Sequence, residues 1–362
     1  MTKKQVYNFA PGPAMLPAEV LAQVQAEFLD YRGTGMSIVE MSHRSKEFGG
    51  IAEESERDLR GLLAIPKNYK ILFLQGGATS QFAMAPMNLL AGGGTGDYLH
   101  TGIWSGKAID EARRHGKVHI AATSEAQNFM LIPDRATWRL SENPAYLYYA
   151  ANETIGGVEF QTVPEVGDIP LVSDMTSNFL SRHFDVSRFG IIIAGAQKNI
   201  GPAGLVVVII REDLIGKPSE HLPTLYDYAV MAENGSMYNT PSTFGWYVAG
   251  LVFQWIRDQG GVTAMERNSI ARSGKLYKTI DDSGFYHNPV APEHRSRMNI
   301  PFTLADESLN DAFLKEAKAN HLVELKGHRS VGGMRASMYN AMPQSGCDAL
   351  VEFMLDFEKR HG

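Results

Sequence analysis

The sequence predicts an α/β protein: a large domain with a mixed, mainly parallel sheet covered by helices, and beside it a smaller C-terminal α+β domain. Three features predict it. From Lys70 onward short apolar runs alternate with helical stretches, the pattern of buried parallel strands covered on both faces. Two consecutive apolar runs are joined only by Gln197 to Ala203. A parallel crossover needs about a dozen residues, so this pair is antiparallel within the sheet. After about Thr243 long amphipathic helices take over, followed by a few short strands, and such segregation marks an α+β unit.

Along the chain, a first helix runs from Ala18 to Asp30 and suits either domain. KILFLQ is a strand leading to a helix from about Ser80, and DYLH a strand leading to a helix from about Trp104. KVHIAA, AYLYYA, IPLVSD, GIIIAGA (190–196) and GLVVVII (204–210) supply further strands. AGGGTGD (91–97) precedes a strand and reads as a loop. FGWYVAGLVFQWIRDQ and VTAMERNSIARSGKLYKTIDDS are helices, MNIPFTL, HLVEL and GGMRASMY short strands, and a last helix spans Cys347 to Arg360. With no solenoid repeat and no Ser- or Pro-rich linker, the boundary is soft. It is placed so that 16–258 form the large domain and 259–362 the small one, with 1–15 near the active site.

At 44% hydrophobic and 20% charged residues the chain has the makings of a packed core. A net charge of −6 gives no footprint for nucleic acid or an anionic membrane. The single cysteine, Cys347, excludes an intrachain disulfide and fits a reducing compartment. Met1 to Met15 has two lysines but no apolar h-region, and no apolar run approaches membrane-spanning length. A cytoplasmic protein is expected.

Most lysines are solvated surface charges, but Lys198 directly follows an apolar strand and lies among Gly195, Gly201, Pro202 and Gly204. Those residues permit tight turns and close backbone approach to a ligand, and ligands gather at the carboxyl ends of strands in open α/β sheets. A half-buried lysine of depressed pKa is what imine formation with a carbonyl requires. Asp174 ends the preceding strand, IPLVSD. If the two strands are parallel neighbours, carboxylate and amine meet at one sheet edge. Pyridoxal phosphate needs that pair, because a carboxylate that keeps the ring nitrogen protonated makes the ring an electron sink. An aspartate capping the next turn is an equally simple account, and spacing alone does not choose.

ILFLQGGATSQF reads strand, glycine turn, helix, with hydroxyls from Thr79 and Ser80 nearby. A helix start of this kind suits a phosphate, although a GG turn also serves steric ends alone. GGATSQ does not supply the G-x-G-x-x-G of a nicotinamide site. Trp104 either lies on a cofactor ring or fills the core, and Thr154 either meets a ring oxygen or stabilises a turn. His115 and His119 are four apart, but Gly116 and KVHIAA interrupt any helix that would align them on a metal, and no metal is expected.

From NFAPGPAMLP to GGMRASMYNAMP the chain resembles the phosphoserine aminotransferases, a family of fold-type I pyridoxal-phosphate enzymes. The most specific stretches are MSHRSKEF (41–48), NETIGGVEF (152–160), AGAQKNIGPAG (194–204), NGSMYNTPSTF (234–244) and KGHRSVGGMRAS (326–337). The resemblance implies a cytoplasmic homodimer in serine biosynthesis that moves an amino group from L-glutamate to 3-phosphohydroxypyruvate. It also implies a related four-carbon phosphorylated keto acid on the route to pyridoxine. Pyridoxal 5′-phosphate would be bound covalently by Lys198, with Asp174 at its ring nitrogen, Trp104 on the ring and Thr154 at its oxygen. Its phosphate would be held by Ala78, Thr79 and Gln197, with Asn239 and Thr240 from a second subunit. Arg335 would grip the α-carboxylate, as a planar charged fork does best, and His43, Arg44, His328 and Arg329 would receive the other anion. Some relatives have serines at Ala10-Pro11 and arginine at Thr79, so side-chain contacts there do not carry over. Two readings compete. Cysteine desulfuration needs a thiol on a mobile loop, and Cys347 instead opens a helix. A non-catalytic binding module would have no need of Lys198 and Asp174.

Overall fold

The computed structural model describes residues 5–90, 93–216 and 222–362. Residues 1–4 of the N-terminal segment and 91–92 of the glycine run lie outside the described residues. In chain order the strands are β1 (Tyr7–Asn8), β2 (Tyr69–Gly76), β3 (Thr95–His100), β4 (Lys117–Thr123), β5 (Pro144–Ala150), β6 (Asn152–Glu153), β7 (Val158–Glu159), β8 (Leu171–Asp174), β9 (Ile191–Gly195), β10 (Gly204–Arg211), β11 (Tyr286–His287), β12 (Asn299–Leu304), β13 (Leu322–Val323) and β14 (Met334–Ser337). The helices are α1 (Ala18–Glu27), α2 (Lys46–Leu62), α3 (Ala78–Leu89), α4 (Ile103–Ala112), α5 (Tyr228–Glu233), α6 (Thr243–Asp258), α7 (Gly261–Asp281), α8 (Asn310–Ala319) and α9 (Gln344–His361).

The main sheet has the order β2-β10-β9-β8-β5-β3-β4. Only β10 is antiparallel, to β2 on one side and β9 on the other, as the short linker after β9 requires. Its central strands are apolar along their whole length because both faces are covered. With the period of two of a pleated strand, Ile192, Ala194, Val207 and Ile209 point into one hydrophobic cluster. Ile191, Ile193, Val206 and Val208 point into the other. The first face is covered by α2 and α6, where Trp246 stacks on Phe73 at 4.3 Å between ring centroids and meets the edge of Phe48 at 5.8 Å. The second is covered by α3 and α4 through Phe82, Ala85, Ala108 and Ile109.

Helix α2 was not anticipated, yet its signals are present. Ser45 caps it, accepting the Phe48 N–H at 3.1 Å, and Phe48, Ile51, Ala52, Ser55 and Leu59 turn inward at helical spacing. It lies close against α6 because position 250 is glycine: a Cβ there would stand 2.4 Å from Ser55 Oγ. A third cluster gathers Leu276 and Ile280 of α7 with Phe302, Phe313, Met334, Leu350 and Phe357, and it also takes in Phe9. Helix α7 runs from one core into another, since Val262 and Met265 belong to the first. HLVEL shrinks to two paired residues, and β13 joins β1 in parallel instead of entering the β11-β12-β14 sheet. Helix α1 packs on α6, with Val20 in the first core.

Candidate active site

Strands β8 and β9 are parallel neighbours with Asp174 opposite Ile193, so the end of β8 lies beside the loop that carries Lys198. Both side chains are buried, at 7% and 8% exposure, and both line one cleft with Thr154, Trp104, Gln197 and the Gly77–Thr79 turn. Lys198 Nζ donates to Thr154 Oγ1 at 2.5 Å. Burial pulls the lysine down to about 8 from its ordinary 10.5, and the attraction of Asp174 works against that fall. Burial likewise pushes the Asp174 carboxyl up, while hydrogen bonding to Thr176 pulls it back. Thr176 N–H donates to Asp174 Oδ1 at 2.9 Å, and the Thr176 hydroxyl accepts the Gly195 N–H at 3.0 Å. A turn-capping contact and a place beside the lysine therefore coexist at Asp174.

Trp104 borders the cleft with its ring centroid 5.6 Å from Lys198 Nζ. Its Nε1 is buried and has no partner among the described residues, a donor left for a ligand. The adjoining residue Thr154 also accepts, through its carbonyl oxygen, from Arg335 Nη1 at 3.4 Å. Arg335 sits on β14, 6% exposed, and its Nε has no partner among the described residues. Burial lowers its pKa, and it makes no ion pair among the described residues. A desolvated guanidinium of this kind is a receptor for an anion.

The turn after β2 is shaped for close approach. Gly76 has φ of +103°, and the start of α3 at Gly77 has no side-chain cap, which leaves backbone donors free. Beside it Gln197 Oε1 is buried with no partner among the described residues. Gly195 must lack a side chain, because a Cβ would lie 2.8 Å from Gln197 Oε1 and 3.1 Å from Thr176 Cγ2. The N-terminal segment closes this side, with Ala14 N–H donating to Gln197 O at 2.9 Å. An amine, a buried carboxylate, an unpaired indole donor and an open helix start converge, and they fit a pyridine ring that bears an aldehyde and a phosphate.

Other expected residues lie outside the cleft lining. His43, with a buried unpartnered Nε2, and the exposed Arg44 precede α2. His328 bonds Ser330 Oγ through Nδ1 at 2.6 Å, and Arg329 beside it is exposed. Burial lowers the His328 pKa, and Arg335, Arg329 and Lys107 push it the same way, so these cations are gathered near one another. Thr240 contributes its carbonyl oxygen to Gln75 within the same chain, and Asn239 and Thr240 do not enter the cleft. His115 pairs with Glu111 and His119 with the carbonyl of Arg139.

Sequence reasoning overlooked the polar residues behind the site. Asn152 donates to Ser177 Oγ and to Asn299 Oδ1, both at 2.8 Å. Asn299 donates to Tyr339 OH at 3.0 Å, and Tyr339 OH donates to Pro11 O at 2.7 Å. This buried chain ties β6, β12 and the N-terminal segment together. The signal available was a run of amides and acids inside apolar surroundings.

The class-V aminotransferase family model matches residues 6–350. The phosphoserine aminotransferase of Pseudomonas aeruginosa (strain LESB58) is 58% identical over 359 residues, 99% of each chain. Among solved structures, phosphoserine aminotransferase from Bacillus circulans subsp. alkalophilus superposes with a TM-score of 0.97 at 48% identity, covering 99% of this chain and 100% of that one. The pyridoxal-phosphate-bound phosphoserine aminotransferase from Trichomonas vaginalis gives 0.93 at 43% identity, covering 97% of this chain and 100% of that one.

Proposed function

The chain belongs to the class-V aminotransferase family, and from that premise we propose that it carries out the phosphoserine aminotransferase reaction. It moves the amino group of L-glutamate to 3-phosphohydroxypyruvate, giving O-phospho-L-serine and 2-oxoglutarate in serine biosynthesis. The observation that carries the reading is the buried Lys198 amine, drawn down to about 8, lining one cleft with Asp174, with Arg335 bonded to the neighbouring Thr154.

When bound, pyridoxal 5′-phosphate supplies an aldehyde for amines and a protonated ring that accepts the electron pair left at the substrate Cα. Lys198 would hold the cofactor and, once free, would carry a proton from the substrate Cα to the cofactor carbon that had been the aldehyde, a task suited to an amine whose pKa is drawn down toward neutrality. Asp174 holds the proton on the ring nitrogen. Thr154, already bonded to Lys198 Nζ, aims the amine and would meet the ring oxygen, while Trp104 would lie against the ring. Ala78, Thr79 and Gln197 hold the phosphate. Arg335 takes the α-carboxylate common to both substrates, and His43, Arg44, His328 and Arg329 take the distal carboxylate or phosphate.

A second copy of the chain completes the site by bringing in Asn239 and Thr240. Leu225, Tyr226 and Tyr238, close in sequence to those two residues, stand exposed at 40–48%, which suits their burial against a second copy. The mass of such a homodimer by light scattering tests it. Residues 16–258 form the cofactor-binding domain and 259–362 the smaller one, with 1–15 against the site. The same distal cluster suits the four-carbon phosphorylated keto acid of pyridoxine synthesis. Cys347 is buried in α9 and pushed up to about 11 by burial, so its thiolate is scarce at neutral pH and desulfuration is disfavoured. No helix of the described residues is long and apolar enough to cross a membrane, and with one cysteine we place the protein in the cytoplasm.

The test is a visible spectrum of the purified protein, recorded before and after L-glutamate and then after 3-phosphohydroxypyruvate. The lysine-bound cofactor band is expected to bleach and then return. A band that glutamate leaves unchanged refutes the donor, and no band after added pyridoxal phosphate refutes the cofactor reading.

A further inference from the structure

Beside Thr154 on the same short segment, Glu153 is 1% exposed and makes no ion pair among the described residues. Its carboxylate receives three donors: Trp104 N–H at 3.0 Å, Ser105 N–H at 2.9 Å and Ser105 Oγ–H at 2.7 Å. Ser105 Oγ in turn accepts the N–H groups of Thr101 and Gly102 at 2.9 and 3.0 Å. The two backbone N–H groups can only donate to Glu153, and the single Ser105 hydroxyl proton has the Glu153 carboxylate at 2.7 Å and the Gly102 carbonyl oxygen at 3.1 Å as acceptors, a setting that suits an ionised carboxylate. Burial pushes its pKa up, and the bonds from Ser105 and Trp104 hold it back.

These contacts do the work of a helix cap. The residue before α4 is Gly102, which has no side chain to satisfy the first N–H groups, and Glu153 reaches them from about fifty residues away in sequence. Gly102 is required for that approach, because a Cβ on it would lie 2.4 Å from Glu153 Cδ and 2.6 Å from Oε2. Two helix starts thus face the cleft region in different conditions. That of α3 is uncapped, whereas that of α4 is filled by an internal anion, so an incoming phosphate is left only the first.

We propose that Glu153 is a positioning residue of this site: it caps α4 in place of a local side chain, holds the backbone of Trp104 at the cleft, and places a second buried negative charge on the residue next to Thr154, which itself holds Lys198. The inference rests on the reading that the cleft holds pyridoxal 5′-phosphate. Three consecutive residues then divide the labour. Asn152 ties the segment to β12, Glu153 holds the tryptophan helix, and Thr154 holds the lysine.

The test is a pH titration of the visible absorption of the holoenzyme, together with the dissociation constant for added pyridoxal phosphate. It compares the unaltered chain with Glu153→Gln, Glu153→Asp and Ser105→Ala. Loss of the negative charge in Glu153→Gln disfavours the protonated nitrogen, so the midpoint falls by roughly half a unit to one unit and cofactor affinity drops about tenfold. Glu153→Asp, which withdraws the charge by one methylene, moves the midpoint less in the same direction. Ser105→Ala keeps the charge and leaves the midpoint where it is. A midpoint unmoved in Glu153→Gln overturns the proposal even if affinity falls, because that pattern is packing alone. Should Glu153→Gln not fold, Glu153→Asp decides, and an unmoved midpoint there overturns it equally. Absence of a cofactor band in the unaltered chain overturns both this inference and the reading beneath it.

Discussion

Replacing Lys198 with methionine in the cofactor-free chain measures what it costs to bury the amine. Burial holds Lys198 at about 8 against an ordinary 10.5. Between those values the unfolded chain keeps a proton that the folded chain has released, so the free energy of unfolding rises with pH across that window. Below about pH 8 the penalty is complete, and above 10.5 it is gone. The gap of about 2.5 (10.5 minus about 8), at about 1.36 kcal/mol for each pK unit, puts the penalty at neutral pH on the order of 3 kcal/mol. Methionine has no charge to desolvate, but it forgoes the hydrogen bond to Thr154, a loss of about 1 kcal/mol that does not vary with pH. Lys198→Met is therefore expected to be more stable than the unaltered chain by roughly 2 kcal/mol at pH 7, with the advantage vanishing and reversing as pH approaches 10.5. Urea unfolding of both proteins at several pH values from 7 to 10 gives the difference, in which titrations of groups remote from Lys198 cancel. A stability difference that stays flat over that range refutes the buried, depressed lysine.

Lys198→Ala is expected to abolish turnover while leaving the circular dichroism spectrum unchanged, and retained transamination in that variant removes the lysine from the mechanism. Arg335→Ala should lower kcat/KM for L-glutamate and for the phosphorylated substrate alike, by roughly a hundredfold or more, as loss of a buried charged contact does. An effect on the phosphorylated substrate alone means that the two anion sites have been interchanged. Gly102→Ala should destabilise the fold by about 2–4 kcal/mol, because the new methyl displaces the Glu153 carboxylate and strands its donors. Gly274→Ala in α7, where nothing lies within 4 Å, should instead stabilise by about 0.5–1 kcal/mol, and denaturation midpoints that fail to separate in sign contradict the packing argument.

Much of this architecture is legible in the sequence because its causes are local. The all-apolar runs of β9 and β10 announce strands covered on both faces, and the length of chain between them sets their antiparallel pairing. From that pairing and the parallel β8, the meeting of Asp174 with Lys198 follows almost without further information. Helix α2 was legible in principle through Ser45 and the spacing of Phe48, Ile51, Ala52 and Leu59, but Gly49, Gly50 and a run of charges dilute its apolar stripe. The partner of β1 is not legible in that way. Tyr7 pairs with Leu322, far along the chain, beside the third core that takes in Phe9.

The polar framework behind the cleft is the least legible part, for the same physical reason. Asn152, Glu153 and Thr154 have ordinary local propensities, and their partners are distant: Asn299, Ser105 and Lys198. Each bond depends on strands and helices that must already be in place, so no periodicity along the chain records it. Burial makes each group costly if left alone, and so correct docking of β12, α4 and the Lys198 loop is favoured only when all three are present together. The segment therefore couples assembly of the three cores and the N-terminal residues to the readiness of the lysine. A change at Asn299, which touches neither Lys198 nor Trp104, is expected on this argument to loosen both.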